Sequence, residues 1–427
     1  MTALFTGSEA DIADAFWTRM GMTQDPGWRV HLDAAAVASP GDLFLSDTSG
    51  VPLEYSRSVT RALQKNSGRL GVALADSDGR VYAKGVVGTR RTAARTVAGA
   101  RLVAGPLAVM AAHRKATAVA PTSPVGRTAQ LGADLAASGW FGLRLARAAL
   151  TYREWACVTI RMPHSTDATL DVMGMWHSGP HRFWADPFVL IDSGESWLFM
   201  EELDRATGRG HLIAARIIDG DLRDPRVILS NDHHLSFPVV GRHQGRWIAT
   251  VETCARHNPV YTFDRPGDPW HEDAELPALP PHTADAVADF DAGTLVGTDA
   301  ATDGHSVLVR YALQGDEWVP QPDAVRVDIG WSRGGGVVDT ARGIRAVQDC
   351  AGTYGTALGW TSTEDPDQHL ARWSAADLST PGWRGVHTMT WDPLQQQVWI
   401  DGWRRRVSPL GWRHRLVEQG HFAQCQG

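Results

Sequence analysis

The stretch FWADPFVLIDSGESWLFMEE (residues 183–202) consists of two apolar runs around a D-S-G turn, closed by acids. Short apolar runs separated by a Gly-containing turn read as a β-hairpin. The same grammar returns in HLSFPVVGRHQGRWIATVET (234–253), AVADFDAGTLVGTDA (286–300), GGVVDTARGIRAVQDC (335–350) and HTMTWDPLQQQVWIDG (387–402). The closing acids are Glu202, Glu252, Asp299, Asp349 and Asp401, at intervals of 50, 47, 50 and 52 residues. A period near 50 with several strands per unit is that of a propeller blade. Further strands are legible in HLIAARIIDGD (211–221) and SVLVRYALQGDEW (306–318). The five units predict a mainly β chain, a five-bladed β-propeller over 156–415 with a site on its axis.

The text before the repeats differs. Residues 1–150 read as a smaller α+β region: a hairpin in GRLGVALADSDGRVYAKGVVG (68–88), a helix over Ser58–Gln64, and a broken helical run over 92–149 interrupted at Pro106 and Pro121–Pro124. Residues 88–150 carry nine basic residues and one acid, a segment of +8 in a chain of −7, so the rest is −15. Such a segment either holds a polyanion or packs against the acidic part of its own chain. Without aromatic interleaving or a nucleic-acid motif, the second reading is preferred and nucleic acid is not expected as a partner.

Composition is that of a soluble globular protein, 43% hydrophobic and 21% charged. The N-terminus has no basic and apolar leader, and the longest apolar-looking stretch, Leu102–Ala112, is too short to span a bilayer, so a cytoplasmic protein without membrane association is expected. Cys157, Cys254, Cys350 and Cys425 are scattered, without a zinc or disulfide pattern, and read as reduced core residues. The 18 Trp residues fit propeller cores better than sugar-stacking platforms.

The innermost strand of each blade runs along the channel, so residues of equal phase ring the axis. Asp186, Ser236, Gly335 and His387 share the phase at which that strand begins, and the five acids share the phase at which the next one ends. An ionised Asp186 among Phe183, Trp184 and Phe188 is costly unless something satisfies or uses it. The acids either cap turns by accepting backbone N–H groups or line the channel. His234 and His387, with His233 adjacent, are structural or substrate-binding, or else hold an axial metal ion with Asp349 or Glu252; no other cofactor is expected. Gly334-Gly335-Gly336 follows no strand-to-helix pattern and suits a close backbone approach rather than a phosphate loop.

The motifs W-A-D-P-F…L-F-M-E-E (184–202), H-L-S-F-P (234–238), V-E-T (251–253), Q-D-C-x-x-x-Y-G (348–355) and G-V-H-T (385–388) resemble the propeller domain found N-terminally in glucosamine inositolphosphorylceramide transferases, and in bacterial proteins behind a formyltransferase-like region. That family belongs to the five-bladed propeller glycosidases, the arabinanase, levansucrase and invertase group. The chain departs from it at Val251-Glu252-Thr253, where Pro-Glu-Ser is usual, and SDTSG (46–50) resembles a degenerate remnant of the preceding region. The resemblance implies Asp186 as base or nucleophile, Glu252 as proton donor and Asp349 as the acid that tunes it. Trp184, Glu202, His234, Ser236, Gln348, Tyr354 and His387 are then the substrate-binding candidates. The expected activity is glycosidase-like chemistry on a sugar-containing small molecule in metabolite biosynthesis. The alternatives are a non-catalytic sugar-binding or scaffold propeller and an enzyme that reuses the funnel for other acid–base chemistry.

Overall fold

A computed structural model of the chain describes residues 4–23, 26–33, 42–90, 92–118, 131–136, 138–139, 142–143, 150–161, 169–179, 181–253, 257–339 and 343–408. Cys254, Cys425, Pro121–Pro124, Arg91, Arg127, Arg144, Arg147 and the expected propeller end at 415 lie outside these residues.

From Thr151 to Val407 the described strands form five antiparallel units of four strands, the third carrying a short fifth strand, Arg326–Val327. Blade 1 is Arg182–Asp192, Glu195–Asp204, Arg209–Ile218 and Asp221–Leu229. The inner two strands of the next three are Ser236–His243 and Arg246–Glu252 (blade 2), Thr283–Asp289 and Thr294–Asp299 (blade 3), and Arg333–Asp339 and Ile344–Asp349 (blade 4). Blade 5 is composite. Trp383–Asp392 and Gln397–Val407 supply its inner half, and Thr151–Arg161 and Val172–Trp176, from before blade 1, complete it. The first strand of each blade lies against the first strand of the next, and that of blade 5 against that of blade 1, so the ring closes.

The turns follow from sequence. Ser193-Gly194 have φ of 49° and 81°, Asp219-Gly220 53° and 76°, and Gln244-Gly245 50° and 80°. Two consecutive positive φ values make the type I′ hairpin whose twist matches the strands it joins. The tryptophans mostly fill the core, as expected: Trp155, Trp197, Trp247, Trp270, Trp373, Trp383, Trp399 and Trp403 are all buried. Gly336 makes a close backbone approach, to the strand of the next blade rather than to the channel as the triple glycine suggested. At φ 122° it forms the parallel bridge to Met389 that joins blades 4 and 5, and a Cβ there would run into the Met389 carbonyl.

The N-terminal residues form a six-stranded sheet with helices Ala10–Arg19, Arg57–Gln64, Ala93–Arg101 and Ala104–Ala112. The helical run breaks at Leu102–Val103 and not at Pro106, which falls in the first turn of the last helix, where its missing N–H costs no bond. The SDTSG stretch is a structural staple. Buried Asp47 accepts Ser49 N, Val51 N and Ser56 Oγ, and Ser56 Oγ in turn caps the second helix. This region shares its core with blades 2 and 3 through Ile248, Val260, Leu295 and Val307. No helix among the described residues is long and apolar enough to cross a membrane.

Gly336→Ala is expected to cost at least about 1–3 kcal/mol from its backbone conformation alone. Urea titration of the variant checks this, and an unchanged midpoint would contradict the assignment.

Candidate functional site

The inner hairpin of every blade carries a bulge at the same place. The last residue pairs before the bulges are Ala185↔Glu201, Ser236↔Glu252, Ala284↔Thr298, Gly334↔Val347 and Val386↔Gly402. The first residues within the bulges are Asp186, Phe237, Asp285, Gly335 and His387. Asp186, Phe237 and Asp285 adopt the same left-handed backbone, with φ of 52°, 50° and 46°. This conformation is rare for a bulky residue such as Phe, and a bulge re-aims the side chains that follow it.

These registers correct the phases expected from sequence. Ser236 sits one residue ahead of Asp186 and His387, whose phase belongs to Phe237. The five acids are not equivalent either. Glu252 corresponds to Glu201; Glu202 and Asp299 lie one residue further on, Asp349 two, and Asp401 one short.

A bulge frees backbone N–H groups, and a buried one needs an acceptor. The neighbouring blade supplies it. Asp186 N donates to Asp401 Oδ2 of blade 5 (3.2 Å), Phe237 N to Asp186 Oδ2 (3.1 Å), Asp285 N to Glu252 Oε2 (3.0 Å) and Gly334 N to Thr298 Oγ1 (3.3 Å). Asp186 therefore ties blade 1 to both of its neighbours.

At the centre stands His387. Its Nδ1 lies 3.1 Å from both Asp401 Oδ2 and Asp186 Oδ1, and its Nε2 bonds the Tyr354 hydroxyl. Burial alone would lower its pKa, but the Asp401 and Asp186 carboxylates outweigh that and raise it to about 10, so the ring is an imidazolium at neutral pH. One N–H serves one acceptor well: the better-directed bond goes to Asp401, and Asp186 Oδ1 shares the same N–H as an ion pair and has no other partner. Asp401 is saturated, because Thr388 N (2.6 Å) and Thr388 Oγ1 (2.9 Å) take its other oxygen. The ligand atoms of Asp186, His387 and Asp401 lie within 4.8 Å of one another, the spacing of a metal site. Mutual hydrogen bonds already use Asp401 and His387, so a cation would have to break that network. The acids that hold His387 are these two, not Asp349 or Glu252.

Glu201 was not anticipated from the sequence, and neither was Asp285 of the adjoining cluster. Glu201 is 5% exposed, its Oε1 has no hydrogen-bond partner, and His234 Nε2 lies 3.5 Å away. His234 Nδ1 accepts Gly210 N (2.9 Å), which places the His234 proton on Nε2, facing Glu201. Burial and then the charge of Asp186 push Glu201 well above the usual carboxylate range. Burial also raises Asp186, against the pull of His387. Of the two, Glu201 keeps its proton more firmly.

A second cluster adjoins the first. Arg333 Nε lies 2.6 Å from Asp285 Oδ2, Gln348 Nε2 donates to the same oxygen (3.0 Å), and Arg333 Nη2 reaches the Tyr354 hydroxyl (3.4 Å). Burial would lower Arg333, but Asp285 beside it holds the guanidinium charged. His305, 3.1 Å from Arg333 through Nδ1, is driven to about 4 by burial and by that charge, and is neutral.

The remaining expected site residues lie elsewhere in the network. Asp349 is engaged by Arg372 (2.7 Å) and by Arg69 of the N-terminal region, and caps Ala351 N. Asp299 binds Arg19 (2.6 Å) and caps Thr302 N. Both acids thus dock the N-terminal region on the propeller. Arg114 of the basic segment also reaches the propeller, at Asp367 (3.8 Å), whereas Arg101 pairs within its own region. Glu202 accepts from Trp184 Nε1, Arg182 and His211 within blade 1. Burial would raise its pKa, but those bonds hold it below the ordinary value. Cys157 and Cys350 are buried, and burial pushes both thiols up, so neither is a nucleophile.

No protein-family model matches the sequence, and no curated protein matches it. Among solved structures it is similar to a GH43_1 enzyme from Xanthomonas citri (11% identity, 53% of this chain and 88% of that one, TM-score 0.37). It is also similar to an α-L-arabinofuranosidase from Podospora anserina in complex with cellotriose (9%, 52% and 90%, TM-score 0.35). A third is a gluconolactonase from Xanthomonas campestris (13%, 59% and 97%, TM-score 0.27). Likenesses this distant fix no substrate and no reaction.

Because the folded-state pKa of His387 is raised from 6.5 to about 10, its contribution to stability is complete below pH 6.5 and is lost as pH rises through 10. Between those values the wild type should lose stability by up to about 1.4 kcal/mol per pH unit from this group. His387→Gln should lower stability at pH 7 by about 3–5 kcal/mol and flatten that slope. Urea unfolding at a series of pH values measures both effects; an unchanged slope would mean that His387 is neutral in the fold.

Proposed function

We propose that the axial cluster is the acid–base site of a carbohydrate-active enzyme that cleaves a glycosidic bond in a sugar-containing small molecule. One observation carries this reading: two buried carboxylate oxygens, Asp186 Oδ1 and Glu201 Oε1, each face only a histidine nitrogen (His387 at 3.1 Å, His234 at 3.5 Å) and make no well-directed hydrogen bond, in carboxyl groups of unequal proton affinity. Glycosidic cleavage in its usual form needs one ionised and one protonated carboxyl group. Asp186 takes the proton of a water or attacks the anomeric carbon, and His387 keeps it ionised. Glu201 protonates the leaving oxygen. This moves proton donation from Glu252, the donor implied by the resemblance, to its neighbour of equal register. Glu252, His234, Gln348 and Tyr354 bind hydroxyls, and Asp401 positions His387. The resemblance to the glucosamine inositolphosphorylceramide transferase propellers supports a sugar ligand and a biosynthetic setting, in which the enzyme builds or trims a glycosylated metabolite.

The test is a panel of aryl glycosides and glycosylated metabolites assayed for turnover, and of free sugars assayed for binding. Asp186→Asn and Glu201→Gln should each lower kcat by about 10²–10⁴-fold, and both should still bind sugar. Asn keeps an oxygen for Phe237 N, so Asp186→Asn should fold normally, whereas Asp186→Ala strands that N–H at a cost of about 1–3 kcal/mol. Full turnover in both conservative variants refutes the assignment. Sugar binding without turnover in the wild type would favour the non-catalytic reading.

A further inference from the structure

Past the bulges, on the hairpin side of the inner strands, a cavity of about 840 Å³ opens among blades 1, 2 and 3. Its size is that of a small-molecule site. Phe188, Val189, Val240, Ile248, Val287 and Leu295 give it an apolar wall. It is separated from Asp186 and Glu201 by the bulges themselves, because Val189, Val240 and Val287 all follow them along the strands.

Three arginines line the same cavity, and one of them, Arg242, is paired with Asp192 (3.3 Å). Arg345, on the second strand of blade 4, is 3% exposed and donates to backbone carbonyls, Ser332 O at 2.6 Å and Trp331 O at 3.5 Å. Arg310, on the third strand of blade 3 (Val307–Gln314), donates to Thr363 O at 2.9 Å, and its Nε is buried without an acceptor. Neither guanidinium forms an ion pair among the described residues. The acids around them are engaged elsewhere or exposed: Asp285, whose charge favours Arg345, is paired with Arg333 (2.6 Å), and of the three that line the cavity Asp289 caps Ala292 N (2.8 Å), Asp291 takes His243 Nδ1 (2.8 Å), and Asp323, whose charge favours Arg310, is exposed. Burial and then the charge of Arg310 lower Arg345 to about 9, and Arg326 adds a further positive charge beside Arg310. Like charges that no ion pair neutralises directly are unfavourable in a partly apolar cavity, and a bound anion relieves that.

We propose that Arg310 and Arg345 form an anion site at one end of this apolar cleft, which takes an anionic amphiphile: a carboxylate or phosphate-monoester head on a short alkyl or aryl body. Guanidinium forks pair with both kinds of head group, and the side chains of blades 1, 2 and 3 cover the body. The arginines alone suit an inorganic anion and the wall alone a neutral ligand; together they select a molecule with both parts.

The full chain is titrated calorimetrically with octyl phosphate, octanoate, octanol and inorganic phosphate, all below micelle-forming concentrations. At least one of the two amphiphiles should bind at a single site roughly tenfold or more tighter than octanol and inorganic phosphate, and which one binds identifies the head group. Arg310→Gln, at the less buried of the two arginines, should weaken that binding by roughly tenfold or more. Val240→Trp, which fills the apolar wall and leaves both charges in place, should weaken it as well. Octanol or inorganic phosphate binding as tightly as the amphiphiles overturns the proposal. So does wild-type protein that binds neither amphiphile, and so does unchanged binding in both variants. The comparison among probes on wild-type protein stands even if a variant fails to fold.

Discussion

Everything at the axis depends on finding partners for the N–H groups that the bulges release. A regular inner strand would give its amides to the next strand of its own blade, and neighbouring blades would meet through side-chain packing alone. The bulge turns Asp186 N and Asp285 N away from their own hairpins, and the acceptors are Asp401 of blade 5 and Glu252 of blade 2. Phe237 N and Gly334 N find Asp186 and Thr298 in the same way. Between blades 4 and 5 the link is backbone to backbone, at Gly336 and Met389. Buried amides without partners cost free energy, so the ring of blades and the ring of axial acids are stabilised by the same contacts.

That double duty explains the electrostatics. An acid that must accept a buried N–H cannot be moved into solvent, so the carboxyl groups are packed together where charge is unfavourable. His387 offsets part of this as an imidazolium between Asp186 and Asp401. Glu201 has no such cation within bonding distance, and it answers by holding its proton. The unequal pair that acid–base chemistry needs is thus a by-product of how the blades are joined.

The repeat, the turns and two of the axial residues were legible in the sequence, because Asp186 and His387 fall in phase with apolar strands of fixed spacing. Glu201 was not. In a strand, adjacent residues face opposite sides, and only the bulge register decides that Glu201 faces His234 while Glu202 turns to Trp184 and His211. Asp285 was missed because the third repeat was begun at Ala286, one residue late, with no proline or aromatic residue to mark the bulge. Asp299 and Asp349 do cap turns, one of the two readings open to them, but their partners Arg19 and Arg69 come from a distant part of the chain that no periodicity connects to them.

The composite blade has a consequence for how the molecule comes into being. Thr151–Arg161 is synthesised before blade 1, but its partner Gln397–Val407 emerges well over two hundred residues later. Until then a long strand edge waits unpaired, and such edges invite association with other chains. The contacts of Asp186 with His387 and Asp401 are of the same long range, so they form only when the ring shuts. A growing chain can fold its early hairpins on the ribosome, but its axial site arrives all at once, with the last strands.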